Sequence, residues 1–270
     1  MAELNLQPAP KAAKHAAPQL KSIDSALQYS YRPSPSGVDS NLLILFHGLG
    51  DTYKPFAQLG TSLNLPQTAV LSLQAPGRVP LLEEEAWCWW PSFDELGELI
   101  PNPNPSSTLS LLLRILTHLI STSPGSPSWS PSSIHLFGFA QGGTCAGELS
   151  LAFTRSTKLS LGSAVVVSAP LLSHPTVEEG KRSEMKVLLC SRKGEERAVG
   201  AGSWRKGFKE VKEVPLARGE GMLRGQSEWM EVMRFWSQVL TQRSALELSE
   251  GVYEVRGGVA AAEKAGASAP

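Results

Sequence analysis

The sequence has little cysteine, no excess of either charge and no long apolar segment. Its three cysteines, Cys88, Cys145 and Cys190, show neither metal-ligand nor redox spacing, which indicates a reduced, intracellular compartment. Lysine plus arginine and aspartate plus glutamate each total 25, so no charge excess favours nucleic acid or an anionic membrane as a partner. The longest apolar run, 109–120, is too short for a membrane span. We expect a cytoplasmic protein with no membrane span, no metal and no cofactor.

Histidine is scarce towards the carboxyl end. The chain has five histidines, and the last of them is His174. The sequence therefore offers no histidine after position 174 that could act as a base.

Residues 1–24 lack the apolar core of a signal peptide.

The order of apolar runs predicts one α/β domain at 23–243, a disordered tail at 1–22 and a mostly flexible tail at 244–270. Strands that alternate with helices indicate a mostly parallel central sheet with helices on both faces. Strands are expected at 25–31, 42–46, 68–73, 134–139, 161–168, 185–190 and 208–214, and 251–255 could pair as a further strand. Helices are expected at 54–63, 106–120, 143–154 and 228–242.

The stretch around Ala140 has the form of a nucleophile elbow. An apolar strand ends in Gly138-Phe139-Ala140-Gln141-Gly142, and a helix follows. The pattern Gly-x-Ser-x-Gly places a nucleophile in a strained turn between a strand and a helix, where only glycine leaves enough room. Here the central residue is alanine, which has no hydroxyl.

Three further motifs accompany the elbow, so that the set in chain order is His47-Gly-Leu-Gly-Asp51, Trp90-Pro-Ser-Phe-Asp94, Gly138-Phe-Ala-Gln-Gly-Gly143 and Gly221-Met222. With these four motifs, of which the first and third are fairly specific, the chain resembles the phospholipase/carboxylesterase family of α/β-hydrolases, which includes acyl-protein thioesterases. The resemblance covers about residues 25–243, and it implies the α/β-hydrolase fold.

The resemblance implies an oxyanion hole formed by two backbone N–H groups. By position these belong to Leu49 and Gln141. Backbone donors do not depend on the side chain, so this part of the machinery can persist when the nucleophile is lost.

The resemblance also implies three triad positions, and they are degenerate here. Ala140 stands for the nucleophile, Glu196 (or alternatively Glu195) for the acid in the His-Gly-x-x-Asp-x-x-Val stretch, and Arg224 for the histidine of Gly-Met-x-His. Arginine stays protonated and cannot act as a general base. The run 192–197 is expected to be solvated, with a salt bridge between Glu196 and Arg224 as a speculative alternative.

Other side chains have competing interpretations. Trp87, Trp89 and Trp90 either line a ligand pocket or pack the long excursion onto the sheet. His47 is better explained as shaping the oxyanion loop than as a substitute base. Cys145 is expected to be a small buried residue, and Ser163 and Ser168 lack an evident base.

Three hypotheses follow. The first is a catalytically inactive pseudo-hydrolase that binds an acyl or ester-like ligand. The second is an active ester or thioester hydrolase with an unrecognised nucleophile. The third is a scaffold for a protein partner that cannot be identified from the sequence.

Overall fold

The computed structural model describes residues 15–80, 82, 84–176 and 182–244, together with the backbone of 6–8 and 253–255. The strands of this part of the chain are β1 Leu6–Pro8, β2 Tyr29–Arg32, β3 Asn41–Phe46, β4 Thr68–Leu73, β5 Gly77–Arg78, β6 Trp87–Cys88, β7 Ile134–Phe139, β8 Ser163–Val167, β9 Ser183–Arg192, β10 Phe208–Leu216 and β11 Tyr253–Val255. The helices are α1 Tyr53–Leu63, α2 Ser106–Ile120, α3 Gln141–Thr157, α4 Glu196–Val199, α5 Ala201–Gly207 and α6 Gly225–Val239.

Seven strands form the central sheet, in the order β10-β9-β8-β7-β3-β4-β2. All neighbours run parallel except β2, which is antiparallel to β4 at one edge. Because the carboxyl ends of β3 and β7 are adjacent, the loops that follow them, at 47–51 and 140–141, meet at the same edge.

Helices cover both faces of this sheet. In β3, Leu42, Ile44 and Phe46 pack in one apolar cluster with residues of α2 and α3, whereas Leu43 and Leu45 pack in a second cluster with residues of α1 and α6. Every residue of β3 is buried, as expected for a strand covered on both sides. The α/β-hydrolase fold class and the mostly parallel sheet are therefore confirmed.

Most element bounds agree with the sequence-based expectations. The strands β4 and β7 and the helix α2 have the expected limits, and β9 extends further at both ends. The closing helix α6 begins at Gly225 rather than at Glu228 and ends at Val239. The short hairpin of β5 and β6 and the helix α5 were not predicted, because each is shorter than two helical turns or a typical strand.

The two predicted tails are partly described. The short strand β11 lies within the expected stretch 251–255 and pairs antiparallel with β1. Residues 15–22 lie against the domain: Leu20 is fully buried, and the ring of His15 stacks on Trp129 at 3.6 Å between centroids. The remaining tail residues lie outside the described part, and the domain limits stay a prediction.

No helix in the described part of the chain has the length and apolarity needed to cross a bilayer.

Candidate active site

The turn between β7 and α3 holds Ala140 in a strained conformation. Its φ of 49° and ψ of −121° lie in a region that residues other than glycine rarely occupy. The Ala140 N–H donates to the carbonyl of Val167 at 2.9 Å, and the Ala140 carbonyl accepts from Thr144 N–H at 3.1 Å. The sharp turn expected from the sequence is therefore present, although it presents only a methyl group.

Two glycines beside Ala140 allow this turn to pack closely. A Cβ atom at Gly138 would lie 2.4 Å from the carbonyl oxygen of Gly142, and one at Gly142 would lie 2.3 Å from the carbonyl oxygen of His47. Both contacts are with backbone, which cannot move aside easily. Any side chain at either position would force apart β7, α3 and the loop after β3.

His47, which follows β3, has both ring nitrogens engaged in the interior. Its Nε2 accepts from the backbone N–H of Ala75 at 3.0 Å and from the Gln74 amide at 2.9 Å. Because Nε2 is an acceptor, the proton resides on Nδ1, which donates to the Gly48 carbonyl at 2.7 Å. Burial lowers the pKa of His47. These contacts support a loop-shaping role for His47 and leave no nitrogen for proton transfer.

Two backbone amides are available where β3 and β7 end. Among the described residues, no acceptor pairs with the N–H of Leu49 or with that of Gln141, the first residue of α3. The next amide, Gly50 N–H, is already bound to the carbonyl of Trp87 at 2.8 Å. The side chain of Leu49 is 38% exposed, so the loop reaches solvent at this point.

The side chain of Gln141 ties the tryptophan excursion to the elbow. Its Oε1 accepts from Trp89 N–H at 2.7 Å, and its Nε2 donates to the Trp90 carbonyl at 2.9 Å and to Ser92 Oγ at 3.0 Å. The indole N–H of Trp89 donates to the carbonyl of His47 at 2.8 Å. Three segments that are distant in sequence are thereby joined through the side chains of Gln141 and Trp89.

The three tryptophans differ in burial. Trp89 and Trp90 are buried in the cluster that packs under α2 and α3, which favours the packing interpretation for both. Trp87 is partly exposed, and the guanidinium carbon of Arg78 lies 5.8 Å from its ring centroid. Ligand contact by these rings stays a prediction. Of the three, only Trp87 has a solvent-accessible ring that a ligand could contact without rearrangement.

All five histidines are described, and four of them lie away from the elbow, His47 being the exception. His135 is hydrogen-bonded through Nδ1 to Ser163 Oγ at 2.8 Å near the amino ends of β7 and β8, which is the opposite edge from Ala140. Both residues are buried, and burial lowers the pKa of His135 to about 4. His118 accepts from the N–H of Gln19.

Neither of two conceivable replacement nucleophiles is activated. Burial, and then the charge of Glu148, raises the pKa of Cys145 well above its usual value, so its thiol stays protonated. Ser168 follows β8 next to the elbow with a φ of 50°, and its hydroxyl is enclosed without a hydrogen-bond partner among the described residues. A serine without a base has the reactivity of an ordinary alcohol.

Glu196 and Arg224 do not form the salt bridge suggested as an alternative from the sequence. Glu196 is fully exposed, and its carboxylate accepts from Gly194 N–H at 2.8 Å. The exposed guanidinium of Arg224 donates to the Glu220 carbonyl instead. Glu195 is more enclosed: its Oε2 is buried and has no partner within the described chain.

Arg192 is the main correction to the sequence analysis, because it was expected in a solvated run and is 1% exposed. Its guanidinium forms a bidentate pair with Glu228, at 2.7 and 3.2 Å. Its other hydrogen bonds go to the carbonyls of Ala217 at 3.2 Å, Gly221 at 3.3 Å and Met222. The side chain therefore joins the end of β9 to the loop 217–224 and to the start of α6.

Glu228 completes this connection. Its carboxylate accepts from Arg224 N–H at 2.6 Å and from Ala217 N–H at 3.3 Å, in addition to Arg192. Burial on its own would raise the pKa of Glu228, but the hydrogen bonds from Arg192 and from the backbone hold it below the usual value. The sequence signals for the pair were an arginine two residues after the predicted apolar strand and a glutamate in the first turn of the last helix.

The fold and these features can be set beside known proteins. The family model described as phospholipase/carboxylesterase matches residues 33–211. The chain belongs to the phospholipase/carboxylesterase family. One relative, "Uncharacterized hydrolase UM10204" of Mycosarcoma maydis, is 42% identical over 235 residues, which are 84% of this chain and 87% of that protein. A second, "Uncharacterized hydrolase C9G1.08c" of Schizosaccharomyces pombe, is 34% identical over 144 residues, half of this chain and 58% of that protein.

Solved structures of similar fold include esterases and thioesterases. Esterase PE8 superposes with a TM-score of 0.61 at 19% identity, covering 79% of this chain and 99% of that one. Acyl-protein thioesterase 2 of Zea mays gives 0.59 at 19% identity, covering 78% and 98%. At such identities the likeness concerns the fold.

In this family member the resemblance places Ala140 at the nucleophile position, Glu196 or Glu195 at the acid position and Arg224 at the histidine position. This assignment remains a prediction. Of the two acidic candidates, the enclosed carboxylate of Glu195 suits the position better than the solvated one of Glu196. The sequence analysis missed the pair of Arg192 and Glu228 altogether.

Proposed function

We propose that this protein is a non-catalytic member of the phospholipase/carboxylesterase family that binds an acyl or ester-like ligand beside the elbow. The observation that carries the proposal is the methyl group of Ala140 in a turn that keeps the strained geometry of a nucleophile. The unpaired amides of Leu49 and Gln141 would bind a carbonyl or carboxylate oxygen of the ligand.

The missing chemistry supports the absence of catalysis. Acyl transfer through a covalent intermediate needs a nucleophile, a base that removes its proton and a group that orients the base. Ala140 provides no nucleophile, and His47 has both ring nitrogens occupied. Backbone donors and substrate binding alone leave a rate enhancement of about 10³–10⁴ over the reaction in water.

Family membership gives the competing hypothesis, an active ester or thioester hydrolase, its strongest support. A fluorophosphonate probe separates the two. We expect the purified protein to stay unlabelled and to hydrolyse p-nitrophenyl esters no faster than the boiled protein. Stoichiometric labelling, or turnover above that background, would establish an active nucleophile and defeat the proposal.

A matched set of variants tests whether the old geometry persists. Ala140→Ser alone should remain unlabelled, because it lacks a base, whereas Ala140→Ser with Arg224→His should react slowly with the probe. Ala140→Ser with Arg224→Gln removes the same charge without adding an imidazole and serves as the control. If the histidine variant behaves like the glutamine variant, residue 224 does not reach the elbow.

Ligand binding is tested separately from chemistry. Decanoate titrated into the protein should change the tryptophan fluorescence, and Leu49→Asp should weaken this binding by at least tenfold, because it places a negative charge beside the amides. Leu159→Asp, at another solvent-exposed leucine past the end of α3, is the control. The same affinity in both variants would show that decanoate binds elsewhere.

A further inference from the structure

A cavity of about 550 Å³ lies at the far end of α3. It is lined by the last turns of this helix, by the loop after β8, by the start of β9 and by the end of α5. With a rise of about 1.5 Å per residue, the length of α3 separates this cavity from Ala140 by roughly 20 Å. The cavity is therefore distinct from the elbow.

The walls of this cavity are rich in positive charge. Among its described lining residues, one carboxylate is present, that of Glu184, and it is already paired with Lys209. The cationic side chains that line it are Arg155, Lys158, Arg182 and Lys206. In a chain with equal numbers of acidic and basic residues, such a concentration of one charge in a concave surface favours an anion.

Capping of α3 accounts for only part of this charge. Arg155 Nε donates to the Leu151 carbonyl at 3.2 Å, and Lys158 Nζ donates to the Arg155 carbonyl at 3.2 Å, as basic residues do at a helix end. The terminal Nη groups of Arg155 have no acceptor among the described residues. The same holds for the charged groups of Arg182 and Lys206.

A hydroxyl group without a partner also belongs to the wall of this cavity. Ser173 lines the cavity, and its Oγ is enclosed without a hydrogen-bond partner in the described chain. The backbone N–H of Ser173 donates to Glu148 Oε1 at 2.7 Å, which fixes the loop and engages that buried carboxylate. A buried hydroxyl costs free energy unless it is hydrogen-bonded, so an acceptor at this place would be favourable.

We propose that this cavity binds the phosphate group of a small soluble molecule. Arginine presents forked N–H groups that match phosphate oxygens, and lysine adds a point charge. The cavity exceeds a single phosphate in volume, which indicates a phosphorylated compound rather than a lone ion. The inference does not depend on whether the elbow is catalytic.

Calorimetric titration of the full chain with pyrophosphate, at constant ionic strength set by sodium chloride, tests the proposal. We expect saturable binding with one site, weakened about tenfold or more by Arg155→Gln with Lys206→Gln. Lys54→Gln with Lys212→Gln removes the same charge from exposed positions outside the cavity and should leave the affinity unchanged. Arg182→Gln alone provides a milder change should the double variant fold poorly.

The outcomes are distinct. Absence of saturable binding, or an equal loss in the control variant, overturns the proposal. Vesicles of phosphatidylcholine containing phosphatidic acid test the alternative source of phosphate. Retention on these vesicles without binding of pyrophosphate would identify a lipid headgroup site and would also overturn the proposal for a soluble ligand.

Discussion

At the scale of single residues, Ala140 carries a conformational cost that its side chain does not use. A residue other than glycine with this φ and ψ costs about 1–3 kcal/mol in folding free energy. The surrounding backbone enforces the conformation, because Gly138 and Gly142 are in contact with neighbouring backbone atoms. The strain is therefore a property of the fold and does not depend on a nucleophile.

Replacing this alanine by glycine should stabilise the protein. Ala140→Gly relieves the strain and loses part of the gain to the greater entropy of the unfolded chain, so we expect about 1 kcal/mol of added stability in urea unfolding. Ala146→Gly is the control, because Ala146 lies buried in the interior of α3 in helical conformation. This change should lower the unfolding free energy of the protein by about 1 kcal/mol or more. Destabilisation by both changes would mean that Ala140 is not strained.

Gln141 acts over a longer range through its side chain. Gln141→Ala removes three hydrogen bonds to the segment 89–92, and we expect a loss of about 1–3 kcal/mol together with faster amide exchange at Trp89. The exposed Gln58→Ala in α1 should change neither quantity. Unchanged exchange at Trp89 would show that packing alone holds the segment.

At the scale of elements, the pair of Arg192 and Glu228 connects three parts of the fold. It fixes the loop 217–224 between the end of β9 and the start of α6, where the resemblance places the acid and base positions. A bidentate ion pair surrounded by carbonyl acceptors can hold a loop in one conformation without any catalytic role.

Breaking this pair on one side should be costly. Arg192→Met leaves the carboxylate of Glu228 buried without its cation, and we expect a loss of roughly 3–5 kcal/mol in unfolding free energy. Arg192→Met combined with Glu228→Leu should recover much of that loss. Lys54→Met, which breaks the exposed pair with Glu85, should cost less than about 1 kcal/mol. A loss equally small for Arg192→Met would show that the pair contributes little.

The sequence predicted the elements better than it predicted their contacts. Continuous apolar runs such as that of β3 identify buried strands, and the glycines around Ala140 identify the turn. The burial of Arg192 could not be read from a run of charged residues, because its partners lie 25–36 positions away along the chain. The same reason explains why the anchoring of Trp89 by Gln141 was missed, since the two are 52 positions apart.

At the scale of the whole molecule, the buried histidine in β7 makes stability depend on pH. The folded pKa of His135 is about 4, lowered by burial from its usual 6.5. Between these values the unfolded chain binds a proton that the folded chain does not. Stability is therefore expected to fall as the pH drops from 6.5 towards 4, by about 3 kcal/mol from this residue.

Urea unfolding at pH 7 and pH 4.5 measures this dependence. His135→Gln cannot take up the proton and should flatten the change between the two pH values. The exposed His174→Gln should keep the full change of the parent protein. An unaltered change in His135→Gln would show that His135 is not the source of the acid sensitivity. Glu228 does not account for a change in this window, because the pKa of its carboxyl is lowered and its contribution is lost only below its usual titration range.

The position of β10 at one border of the seven-stranded sheet limits how molecules can associate. Four of its exposed positions carry charged side chains, those of Lys209, Glu210, Lys212 and Glu213. Pro215 has no N–H to donate to the backbone of an added strand. Charged side chains and proline in a strand at the border of the described sheet oppose pairing with a strand of another molecule. Continuation of the sheet from copy to copy, the first step of strand-mediated aggregation, is therefore disfavoured at this side.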